Sequence, residues 1–84
     1  MNHQSFTLEE IVEISKNSAN FKIFAVPYKP KSYRFWVLGF HSEYKSGNLL
    51  DKNFEVKKFN SLDLLLKYIN LNFKIDMFTV VVDV

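Results

Sequence analysis

The chain has 84 residues, a formal net charge of +2 and no cysteine. That length makes one domain spanning residues 1–84, the missing thiols exclude disulfides and thiolate metal sites, and the charge is too small to imply a polyanionic partner by itself. Within this frame sit nine Phe, four Tyr and one Trp, 17% of the chain, which is a large apolar load for so few elements to bury.

Residues 1–6, MNHQSF, have neither the basic nor the apolar segment of a signal peptide and are expected to be flexible. Thr7-Leu8-Glu9-Glu10 then has the form of a capping box, in which the Thr7 hydroxyl accepts from the Glu10 N–H and the Glu10 side chain reaches back. It predicts a helix from Leu8 to about Ser18, with Leu8, Ile11, Val12 and Ser15 on one face and the polar run Asn17-Ser18-Ala19-Asn20 as its stop. Phe21–Val26 and Tyr33–His41 read as strands joined through Tyr28-Lys29-Pro30-Lys31-Ser32, because Pro30 lacks a ladder donor and biases Lys29 away from the helical region. Ser46-Gly47-Asn48 reads as loop, and Asn53–Phe59 as a third, weaker strand with alternating Phe54, Val56 and Lys58.

Ser61 is placed to cap a second helix running to about Asn70 or Leu71. Ile75–Val84, with Val80-Val81-Val82, predicts a closing strand. The order αβββαβ predicts an α+β fold. Its mixed four-stranded sheet combines an antiparallel meander with one crossover strand lying parallel to the first strand, and two helices cover mainly one face.

Strand Tyr33–His41 is apolar on both sides, with Tyr33, Phe35 and Val37 opposite Trp36, Leu38 and Phe40. On the second helix Leu62, Leu65, Leu66 and Ile69 form a core stripe, while Leu64, Tyr68 and Leu71 widen the apolar arc beyond what a one-sided helix needs. Two helices do not readily cover both faces of a sheet. The excess is therefore folded under loops, buried in a homodimer, or presented to a different partner.

Catalytic and metal chemistry find little support. His3 and His41 are too few for a ligand set, and Glu9 with Glu13 sits beside Lys16 as a solvated helix face. Gly39 and Gly47 are the only glycines, so no phosphate-cradling loop can be built, and no cofactor is expected. The most apolar stretches, Leu62–Ile69 and Met77–Val84, fall short of the roughly 20 residues that span a bilayer. A cytoplasmic protein without enzymatic activity is the expectation.

Charge is unevenly placed. Residues 1–20 hold Glu9, Glu10 and Glu13 against Lys16, whereas residues 21–50 hold Lys22, Lys29, Lys31, Arg34 and Lys45 against Glu43. An acidic helix is thus followed by a basic hairpin, on which Tyr28, Lys29, Lys31, Tyr33, Arg34 and Trp36 interleave aromatic and cationic groups. With Leu64, Tyr68 and Leu71, these are the expected partner-binding residues.

The leading expectation is a stoichiometric contact with a protein partner. Compact, cysteine-free chains rich in Lys, Asn, Phe and Ile are common among AT-rich mobile elements (phage or plasmid), so one concrete version is an anti-CRISPR-like inhibitor of a host defence complex. The alternatives are single-stranded nucleic-acid binding through the hairpin and a structural homodimer.

Overall fold

The computed structural model describes residues 4–29, 32–75 and 77–81. In chain order the elements are β1 (Ser5–Phe6), α1 (Leu8–Lys16), β2 (Lys22–Lys29), β3 (Ser32–His41), β4 (Ser46–Leu49), α2 (Leu62–Phe73) and β5 (Thr79–Val80). The expected α+β class is found, but the described residues form five strands in the order β1-β4-β3-β2-β5 instead of four. β2, β3 and β4 form an antiparallel meander, and β1 and β5 add to its two sides in parallel. The closing strand pairs parallel to β2, as the crossover reading expects, through Phe24↔Thr79 and Ala25↔Val80. Pro30, Lys31, Asp76 and the end of the expected closing strand lie outside the described residues.

Local chemistry sets both helix starts. The Glu10 N–H donates to Thr7 Oγ1 at 3.3 Å and the Thr7 N–H donates to Glu10 Oε1 at 2.9 Å, which completes the capping box. Leu64 N–H donates to Ser61 Oγ at 3.2 Å at the start of α2. That helix runs past Leu71 to Phe73 and ends on Lys74 in the left-handed conformation.

Two expectations are corrected here. Ser5 and Phe6 are not free but form a strand, because Asn48 and Leu50 donate to the carbonyls of Gln4 and Phe6 at 3.0 and 2.8 Å. The third strand of the meander is Ser46–Leu49, not Asn53–Phe59. Phe54 has φ 61°, a left-handed conformation that breaks any ladder, so residues 53–59 contribute only the isolated pairs Leu50↔Val56 and Trp36↔Phe59. Gly47 makes β4 possible. A Cβ there would sit 2.8 Å from the Phe6 ring and against the Gln4 carbonyl. Gly47→Ala is therefore expected to push β1 off the sheet and cost about 1–3 kcal/mol, read as a lower urea midpoint with unchanged slope.

One core serves both helices. Ile11 of α1 and Leu65 and Ile69 of α2 are fully buried with Ile23 and Ala25 of β2, Trp36, Leu38 and Phe40 of β3, Leu49 and Phe59. Much of the aromatic load is absorbed in a chain of ring contacts: Phe6 meets Phe40 edge-on at 5.2 Å, Phe40 stacks on Phe21 at 5.8 Å, and Phe21 on Phe73 at 5.9 Å. The opposite face of the meander carries Phe24, Val26, Val37 and Gly39, where Phe24 lies opposite Gly39 and Val37 pairs with Val26 and is only 6% exposed. Val26 leans toward Gly39, its Cγ2 being 3.8 Å from where a Cβ would lie. Val26 and Val37 thus shield one another while Phe24 is left half-buried, and the more exposed rings of this face, Tyr28 and Phe35, stand at its hairpin end.

Candidate functional site

The hairpin end of the sheet gathers its side chains because a third segment joins it. Trp36 and Phe59 exchange backbone hydrogen bonds at 2.8 Å in both directions, which draws residues 57–59 alongside β3. In an extended segment alternate side chains point to opposite faces. Lys57 and Phe59 accordingly meet Tyr68 of α2, while Lys58 turns to the other side and meets Tyr28 and Phe35. The Lys58 ammonium stands 4.6 Å from the centre of the Tyr28 ring and 6.0 Å from that of Phe35. Together with Lys29 and Arg34 these residues line a concavity of about 250 Å³. Tyr28 and Phe35 are 41% and 40% exposed. Among the described residues, three cations thus surround two half-open rings and no carboxylate lines the concavity.

The residues expected to bind a partner divide among several environments. Tyr28, Lys29 and Arg34 meet in the concavity. Tyr33 is exposed but does not line the concavity. It stacks on Trp36 at 5.7 Å, which corrects the expectation that it shares a face with Phe35 opposite Trp36, because the strand register shifts near Pro27. Lys31 lies outside the described residues. Trp36 is corrected: it is 7% exposed and belongs to the core beside Phe59, so it presents no surface to a partner. Leu64, Tyr68 and Leu71 share α2 on the other side of the 57–59 segment, with Leu64 and Leu71 exposed and Tyr68 half-buried. Lys58 and Phe35 complete the concavity without having been expected there. Its place in the alternating 54–58 run put Lys58 on the side opposite Phe59, but nothing in the residue order brought it to Tyr28.

A second hollow of about 350 Å³ opens on the helix side, walled by Leu8, Glu9, Leu50, Phe54, Lys57 and Tyr68, with Asp51 and Lys52 at its border. Its outer wall is a braced turn. The Asp51 carboxylate accepts from the N–H groups of Asn53 at 2.8 Å and Glu55 at 3.1 Å, and the Phe54 N–H donates to the Asp51 carbonyl at 3.0 Å. The turn holds Phe54 left-handed, at a cost of about 1 kcal/mol for a side chain of this kind.

Burial raises the ionisation of the Tyr68 phenol above its ordinary value of 10.0, and the Glu9 carboxylate adds to the effect. The folded protein therefore holds this proton more tightly than the unfolded chain. The stability linked to it is full below pH 10.0 and is lost as pH rises through the higher folded value. Tyr68→Phe is expected to flatten that alkaline loss, seen by comparing urea midpoints of the two proteins at neutral pH and above pH 10.0.

Among the described residues no three His, Cys, Asp or Glu side chains group to hold a metal ion, and no helix is long and apolar enough to cross a membrane. Comparison with protein-family models, curated proteins and solved structures gave no match to this chain. Functional inference accordingly rests on the chemistry of its own surfaces.

Proposed function

We propose that this is a non-enzymatic, cytoplasmic binding protein that acts by stoichiometric contact with an acidic surface of a protein partner. The observation that supports this reading is the convergence of Lys29, Arg34 and Lys58 on the half-exposed rings of Tyr28 and Phe35. Tyr and Arg are the residue types that most often anchor interfaces, and an all-cationic rim selects and steers an acidic counterpart. An inhibitory role would follow the same chemistry. The site's charge is opposite to that of a nucleic-acid mimic, so inhibition would come from covering an acidic surface of the target.

Single-stranded nucleic acid is the second reading, favoured by the arrival of Lys58 beside the aromatic hairpin. Against it, Lys58 already covers one face of the Tyr28 ring, which is the surface a base would stack on. Affinity capture separates the two. The immobilised protein should retain a stoichiometric protein partner that the double variant Arg34→Glu, Lys58→Glu loses. Nucleic-acid binding instead requires retention of the parent on a single-stranded DNA column at low salt, abolished by Lys29→Glu with Lys31→Glu.

A further inference from the structure

The helix-side hollow and its bordering turn have the properties of a surface that meets its own copy. Phe54 is 73% exposed and left-handed, so it is unfavourable both in its contact with water and in its backbone. Asn or Gly would suit that conformation better. The turn is nevertheless built to hold this ring outward, with the Asp51 carboxylate accepting two of its N–H groups. The exposed ring forms the outer wall of the recess of about 350 Å³, whose other apolar walls include Leu8, Leu50 and Tyr68. A closed cavity of about 150 Å³ takes up benzene. The recess therefore has room for a second phenyl ring next to Phe54.

Pairing about a two-fold axis requires one patch to carry both the projection and the recess that receives it. It also requires both charge signs, since each group meets the partner's version of the same patch. This surface satisfies both conditions: Phe54 stands 73% exposed at the outer wall of the hollow, and Glu9 and Asp51 are balanced by Lys52 and Lys57. The hairpin concavity fails the second, because two copies of Lys29, Arg34 and Lys58 brought together repel. We propose that the chain forms an isologous dimer in which Phe54 of each copy enters the helix-side hollow of the other, leaving the basic concavity free.

The test is absolute molar mass by light scattering on a size-exclusion column, from low micromolar loading up to about 1 mM, the weakest pairing worth detecting. The parent is expected to dimerise. Phe54→Asn keeps a residue tolerant of the left-handed turn, so it should retain the circular-dichroism spectrum and melting temperature of the parent's subunit. Removing two buried rings per dimer should raise the dissociation constant on the order of 100-fold or more. Phe54→Gly should behave alike, which guards against an artefact of one side chain. Arg34→Glu with Lys58→Glu should still dimerise, so that loss of the proposed partner and loss of the dimer are read independently. A parent that stays monomeric over the whole range overturns the proposal. So does a dimer that survives both Phe54 variants, or one that Phe35→Asp abolishes while they do not.

Discussion

Trp36→Ala is expected to remove a large share of the protein's stability, about 3–5 kcal/mol, and to move its urea midpoint far down. Removing a buried Trp or Phe side chain costs about 3–5 kcal/mol, because the transfer free energy is lost and a cavity is left behind. A folded chain of this length has roughly 4–13 kcal/mol in total. Trp36 is 7% exposed and sits in the core formed with Leu38, Phe40 and Phe59, next to the paired segment that carries Lys57 and Lys58. The cavity would therefore loosen both sides of the molecule at once. Urea unfolding followed by far-ultraviolet circular dichroism gives the answer. Leu71→Asp is the matching control, since Leu71 is 79% exposed and its replacement should move stability by no more than about 0.5 kcal/mol. A Trp36→Ala protein with the parent's midpoint would place Trp36 outside the core.

Arg34→Glu combined with Lys58→Glu is expected to weaken binding to the acidic partner by about 100-fold or more while leaving the fold intact. Both side chains are exposed, so reversing them makes no cavity. Their effect falls on the encounter, where like charge against an acidic surface slows association, and on the bound state, where each reversal replaces attraction with repulsion. The salt response carries the diagnosis. Parent affinity should fall as ionic strength rises, and the variant should lose most of that dependence. Surface-plasmon or anisotropy measurements at low and high salt with the captured partner check both points. Equal affinity of parent and variant would remove the concavity from the interface.

How far the sequence revealed these features depended on the range of the interactions involved. The capping box at Thr7 and the Ser61 cap were legible because a few consecutive residues determine them. The hairpin was legible from Pro30 and the flanking β-rich runs, and the antiparallel pairing of β2 with β3 is found. The alternation in β3 failed at Tyr33, which stacks on Trp36 across the register shift near Pro27. It separated Trp36, Leu38 and Phe40 from Phe35 and Val37, but it could not say which set lies under the helices. That is why Trp36 was expected at a surface. β4 was hidden because Ser46, Gly47 and Asn48 have the composition of a turn; they form a strand only where Gln4 and Phe6, distant in sequence, come close. Lys58 was likewise hidden, since its meeting with Tyr28 depends on the isolated Trp36↔Phe59 pair. Nothing in the residue order signals that Phe54 stands in a left-handed turn, where Gly or Asn would be the ordinary choice.

The two outer strands, β1 and β5, are each two residues long and join distant parts of the chain to the meander. Contacts of that kind close large loops and form late in folding, and they open first in the native state. Amide exchange should therefore be faster at Asn48 and Leu50, which donate to the Gln4 and Phe6 carbonyls, and at Val81, which follows β5 and donates to the Ala25 carbonyl, than along the inner Ile23–Val26 and Val37–Phe40 ladder. Each opening briefly bares the side of a longer strand, β4 or β2, and an unpaired strand side is a template for another chain. The short outer strands thus act as removable covers. Their fraying sets how often this protein is exposed to aggregation, independently of how stable its core is.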